Sequence, residues 1–99
     1  MTEDLQPVDV LSVGPSTWPS VNGFLRQQEF GDRIRDRRLK LGLSQEALAL
    51  QSGINRTCIG SLEAGERNPS LENIARLALA LGVDAAHLVR GLQKLKGRD

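Results

Sequence analysis

From Glu29 onward the chain is cut into short segments by a repeated piece of punctuation: a glycine that can end one helix, followed two residues later by a side chain that can start the next. Gly42 precedes Ser44, Gly53 precedes Asn55, and Gly82 precedes Asp84. Glycine closes a helix in the left-handed conformation without a Cβ clash. Ser, Asn and Asp accept a hydrogen bond from the unpaired amides of a first helical turn. Between these marks the apolar residues recur at helical spacing. Phe30, Ile34 and Leu41 share a face in residues 29–42, Leu48 and Ala49 face inward in 44–52, and Ile59 and Leu62 do so in 55–64. Behind Ser70 come Leu71, Ile74, Leu77, Ala78 and Leu81; behind Asp84 come Leu88, Val89, Leu92 and Leu95, expected on one unbroken helix over 84–96. The pattern predicts an all-α protein, a compact five-helix bundle with short links.

Upstream the pattern disappears. Residues 1–28 contain Pro7, Pro15, Pro19, Gly14 and Gly23, which break any period, and the short apolar run VDVLSV has no partner strand. The expected division is a flexible or irregular N-terminal arm over 1–28, with Trp18 or Phe24 laid against the body, and a helical domain over 29–97. Ninety-nine residues make one domain.

Composition excludes several classes. A single cysteine, Cys58, permits no internal disulfide and no thiolate metal site. Trp18, Phe24 and Phe30 are too few aromatics for a single-strand stacking platform. There is no apolar run long enough to span a membrane and no secretory leader, so a cytoplasmic protein is expected. The helical segments hold no paired carboxylates, no nucleophile with a base and no metal-ligand spacing; no enzyme, cofactor or metal is expected. The net charge of +1 conceals an asymmetry. Residues 1–25 carry Glu3, Asp4 and Asp9 without a base, whereas residues 26–99 carry all 13 Lys and Arg against nine acids. A mildly basic body is compatible with nucleic acid without requiring it.

Two charges fall on apolar faces. Arg38 follows Phe30 and Ile34 at intervals of four, and Glu63 follows Ile59 by four and Leu62 by one. Either alone is costly to bury. Opposite charges on two core faces explain each other, so a structural ion pair between the first and third helices is expected, with snorkelling of both to solvent as the alternative.

The segments on either side of Gly53 and Ile54 are two short helices with a very tight link, the helix-turn-helix arrangement. Here the residues also resemble a family. GLSQEALA, the glycine at 53, IGSLEAGERNPSL and IARLALALGV together resemble the phage-repressor (Cro and C1, or XRE-like) helix-turn-helix regulators, over residues 30–90. Within that family, NRTCIGSLEAGERNPSLENI is similar to restriction–modification controller proteins. The resemblance implies a lambda-repressor-like DNA-binding fold with the helix 55–64 in the major groove. It implies that Ser44 and Gln45 begin a helix resting on a phosphate, where free amides and the dipole attract anions. It implies that Arg56, Thr57, Gly60 and Ser61 face the bases, with Asn55 at the leading end and Arg67 and Asn68 on the backbone. Arg38 and Glu63 match the family's structural ion pair. Arg56 is the foremost specificity candidate, because a guanidinium bonds guanine O6 and N7 together. Cys58 departs from the controllers, which often carry an aromatic there, and Gly60 leaves one groove position without a side chain.

Other features have plainer readings. Cys58 reads as a small packing residue, and His87 as a surface residue of the last helix. Arg33, Arg35, Arg37, Arg38 and Lys40, interleaved with Asp32 and Asp36, read as a solvated face in preference to a phosphate strip. The apolar stripe of the last helix is expected to serve partly as core and partly as dimer interface. The leading expectation is a homodimeric regulator that reads double-stranded DNA at a pseudo-palindromic operator. The alternatives are an antitoxin gripping a partner protein through the arm or the last helix, and an interaction domain that does not bind DNA.

Overall fold

The computed structural model describes residues 21–95. In it α1 spans Val21–Lys40, α2 Gln45–Ser52, α3 Arg56–Glu63, α4 Leu71–Leu81 and α5 Ala85–Val89, followed by a 3-10 turn at Leu92–Lys94. The described part is an all-α bundle, as the punctuation predicts.

The caps form where the sequence places them. Ser44 Oγ accepts from the Ala47 amide at 3.0 Å, Asn55 Oδ1 from Thr57 at 2.7 Å, and Ser70 Oγ from Asn73 at 3.0 Å. Gly53 (φ 73°) and Gly82 (φ 70°) close α2 and α4 in the left-handed region that L side chains rarely adopt.

Four expectations fail. First, α1 begins at Val21, not at Glu29, so residues 21–28 are helical and the arm expected over 1–28 is too long. All three prolines of that stretch precede Val21. The early turns gain tertiary partners that no periodicity displays: Arg26 Nε donates to the Leu92 carbonyl at 3.1 Å, and Gln28 lies against Gly65. Phe24 stays about half exposed on this helix, and Trp18 lies outside the described residues. Second, the last helix is not continuous over 84–96. It ends at Val89; Arg90 turns extended (φ −58°, ψ 127°) and Gly91 takes φ 75°, so the chain re-enters as a 3-10 turn. Third, Leu71 is 83% exposed; with Ala75 and Leu79 it lines the flank of α4 at intervals of four, beside the buried stripe. Fourth, Leu41 falls in the turn after α1 and is largely exposed.

The core consists of Phe30, Ile34, Leu48, Ile54, Ile59, Leu62, Leu77, Ala78, Leu81 and Leu88, one contiguous cluster fed by every helix. Each large member contributes about 1.5–3 kcal/mol through burial. α1 crosses the end of α3 at close range. Gly31 is buried there, and a Cβ on it would collide with the Leu62 carbonyl and lie 2.7 Å from that of Glu63. α1 also holds the C-terminal half through its arginines. Arg37 Nε donates to the carbonyl of Leu81, the last residue of α4, at 3.2 Å, and Arg33 to that of Leu88 in α5 at 3.2 Å. These acceptors are helix-end carbonyls that lack intrahelical donors. Of the basic face expected to be merely solvated, Arg33 and Arg37 are therefore a clasp, and Arg38 is buried.

Candidate nucleic-acid interface

The position of α3 is set from its inner side. Ile59 and Leu62 are fully buried, and Glu63 beside them meets Arg38 of α1. Arg38 Nε donates to Glu63 Oε2 at 2.7 Å and its second terminal nitrogen to Oε1 at 3.0 Å, a two-point pair with both side chains under a tenth exposed. The remaining terminal nitrogen donates to the Leu43 carbonyl at 2.8 Å. The hydrogen bond to Glu63 raises the Arg38 pKa, burial lowers it, and the carboxylates of Glu63 and Glu46 raise it further; the net direction is up. Arg38 and Glu63 do not snorkel. The pair fixes the end of α3 against α1 and the turn before α2.

Glu63 has a second partner. Gln45 Nε2, at the first position of α2, donates to its Oε1 at 3.1 Å. Thus α1, α2 and α3 meet at one carboxylate. At the other end of the unit, Gly53–Asn55 link α2 to α3, and the link is closed by its own hydrogen bonds. The Gly53 amide donates to the Ala49 carbonyl at 2.9 Å and the Ile54 amide to Ser52 Oγ at 3.2 Å. Arg76 of α4 reaches the Gly53 carbonyl at 3.3 Å. Two eight-residue helices are thereby held at a fixed mutual angle.

The outer side of α3 carries the expected residues. At about 100° per residue, positions 57, 60, 61 and 64 lie opposite Ile59 and Leu62, and position 56 lies on the flank at the leading end. Arg56 and Thr57 are exposed, Gly60 and Ser61 half-buried, and Ala64 exposed. Asn55 is exposed but its side-chain oxygen is committed to the cap, as is the Ser44 hydroxyl. Arg67 and Asn68 are exposed in the turn beyond α3. Arg56 and Arg67 thus bracket α3, whose eight residues span about 12 Å. The side chain of Gln45 comes alongside Gly60, where a Cβ would lie 3.9 Å from Gln45 Oε1. Cys58 is half-buried at the core edge, with Asn73 Nδ2 4.0 Å from its sulfur.

One residue of this face escaped the sequence reading. Glu46, in the first turn of α2, accepts from Arg56 Nε at 3.1 Å. It is ten residues upstream, beyond any intrahelical spacing, and only the fold of the helix-turn-helix brings the two side chains together. An acid in the first turn of α2 and a base in the first turn of α3 are the signal that would have found it.

Two short helices joined by a bonded turn, the second locked on one side and presenting small polar side chains and a single arginine on the other, define a DNA-binding domain of the helix-turn-helix class. A helix-turn-helix family model (HTH_3) matches residues 34–88, more than half of the chain, and the protein belongs to that family. Control protein C.BamHI of Bacillus amyloliquefaciens is 44% identical over 61 residues, covering 61% of this chain and 75% of that one. Repressor protein C2 of Salmonella phage P22 is 36% identical over 67 residues, 68% of this chain but 31% of that longer protein. Among solved structures, the restriction-modification controller protein C.AhdI from Aeromonas hydrophila superposes with a TM-score of 0.63 at 45% identity, over 65% of this chain and 97% of its own. No helix among the described residues is long and apolar enough to cross a membrane.

Proposed function

We propose that the protein is a transcriptional regulator that binds a specific duplex operator as a homodimer, with α3 in the major groove. The observation that carries this is the two-sidedness of α3: Ile59, Leu62 and Glu63 are buried beneath it, while Arg56 and Thr57 are exposed to solvent, within reach of a base edge. In this reading Arg56 bonds a guanine and Thr57 meets a thymine methyl or a phosphate. Gly60 and Ser61 keep the middle of the helix low, so that backbone can approach the groove. The start of α2 at Ser44 and Gln45, the leading end of α3 at Asn55, and Arg67 with Asn68 beyond α3 contact the phosphates. A pair of such domains suits the function, because one copy offers few phosphate contacts at cellular salt and two-fold dimers read half-sites about one DNA turn apart. Such a regulator acts where the DNA is, in the cytoplasm. The matched relatives are regulators, repressors and controllers, which does not favour the antitoxin alternative.

Selection of bound duplexes from a random pool by the purified full chain identifies the operator. On that operator Arg56→Ala flattens the preference at one base pair, at a cost of about 1–3 kcal/mol, whereas Arg67→Ala weakens all sequences about equally. Sedimentation of the complex with a two-half-site duplex reports two copies. A pool that yields no enriched sequence, together with no salt-dependent binding to any duplex, refutes the assignment.

A further inference from the structure

We infer that Glu46 is a specificity-determining residue of the DNA-reading face, acting through Arg56; the inference rests on the reading of Arg56 as a base contact. Arg56 is the only cation on α3, and in the free protein it is not unattached: its Nε donates to Glu46 Oε2 at 3.1 Å across the helix-turn-helix. Both side chains are more than half exposed, 55% for Arg56 and 67% for Glu46, so the contact adds little to stability. Its consequence is geometric and electrostatic.

The guanidinium is a planar fork whose Nε and two terminal nitrogens all donate. With Nε occupied, the donors left are the two terminal nitrogens, which form the leading edge of the fork. That edge matches the adjacent O6 and N7 acceptors of guanine. Glu46 thereby presents Arg56 end-on and removes the sideways donor that a phosphate would take. A carboxylate on this face also meets the phosphate backbone unfavourably whenever Arg56 does not neutralise it. On a matched site Arg56 satisfies both the guanine and Glu46. On an unmatched one, an arginine that swings to a phosphate leaves Glu46 uncompensated. Glu46 penalises the wrong sequence more than the right one, and discrimination arises from that difference.

The experiment compares the full chain with Glu46→Ala, Glu46→Gln, Arg56→Ala and the Glu46→Ala/Arg56→Ala double variant. Each is titrated against the selected operator, the operator with the preferred guanine replaced, and an unrelated duplex, at two salt concentrations. Glu46 is exposed and at a helix surface, so the variants keep the parent fold, which a circular dichroism melt verifies. Glu46→Ala reduces the guanine preference by about two- to five-fold, the range of an exposed ion pair. It also strengthens binding to the unrelated duplex and steepens its salt dependence, as one more cation becomes available to phosphate. Glu46→Gln keeps an acceptor for Nε but loses the repulsion, so it retains more of the guanine preference than Glu46→Ala while still binding unrelated DNA more tightly than the parent. The double variant binds every duplex more tightly than Arg56→Ala alone. Glu46→Ala weakening all three duplexes equally, or leaving both preference and salt dependence unchanged, overturns the inference about Glu46. Arg56→Ala with an unchanged base preference overturns instead the reading of Arg56 on which it rests.

Discussion

Replacing Glu63 by alanine tests the assembly of the DNA-reading unit. The substitution removes the acceptor of two charged hydrogen bonds from Arg38, at 2.7 and 3.0 Å, and of one from Gln45 at 3.1 Å. Arg38 keeps only the Leu43 carbonyl, and its charge remains in a site under a tenth exposed. Removing one partner of a buried pair costs about 3–5 kcal/mol, chiefly because the other charge is stranded. At roughly 0.05–0.15 kcal/mol per residue, a domain of this size has about 4–11 kcal/mol in total. The variant should therefore lose a large share of its stability, with Tm lower by about 12–40 °C. Far-UV circular dichroism melts and urea unfolding of the full chain measure it. The pKa of Arg38 is raised. Its stabilising contribution is therefore fully present below the ordinary arginine range and is lost only as pH rises through the raised value; a neutral or mildly alkaline buffer leaves it intact. A companion variant, Arg38→Met with Glu63→Leu, removes both charges and fills the space with apolar atoms. It should recover at least half of the loss, since apolar replacement of a buried pair is often neutral or better. A Tm drop below about 5 °C for Glu63→Ala, or a double variant as unstable as two independent losses combined, refutes the reasoning.

Gly31→Ala should destabilise by about 1–3 kcal/mol despite alanine's better helix propensity, because the new Cβ meets the carbonyls at the end of α3; an unchanged or higher urea midpoint contradicts this. Gly60→Ala has only Gln45 Oε1 near its Cβ, at 3.9 Å, and should stabilise the fold by up to about 1 kcal/mol. Gly60→Leu should fold equally well yet bind the operator at least about ten-fold more weakly, the equivalent of 1.4 kcal/mol; undiminished binding in a fluorescence anisotropy titration refutes a close approach of backbone to the groove. Asn55→Ala removes the acceptor that caps α3 and should cost about 1 kcal/mol in unfolding free energy.

What the sequence discloses depends on how local its cause is. The ends of α2, α3 and α4 follow from single residues acting within one turn, such as Asn55 on the Thr57 amide, and these were legible. So was the Arg38–Glu63 pair, since each charge violates its own helix's apolar face. The first turns of α1 were not, because Arg26 is placed by the Leu92 carbonyl 66 residues away, and no periodicity reports such a partner. Arg33 and Arg37 carry the same lesson: among alternating acids they read as surface, yet their acceptors are the ends of α4 and α5. The split of the last helix turns on Gly91, whose left-handed backbone overrode an apolar stripe that continued through it. On α3 the exposure of Arg56 and Thr57 was legible, whereas the Glu46–Arg56 contact showed in the sequence only as an acid in one first turn and a base in the next.

The underside of α3 has a consequence for how proteins of this build diversify. The helix is fixed through Ile59, Leu62, Glu63 and the Asn55 cap, so the exposed Arg56, Thr57 and Ala64 have almost no part in folding. Substitutions at such exposed positions usually stay within about 0.5 kcal/mol of neutral. The outer surface is then free to drift while the scaffold beneath is held under selection. A few codon changes would suffice to move a duplicated copy onto a new operator without passing through an unfolded intermediate. Two copies in one cell could diverge until neither answers to the other's site.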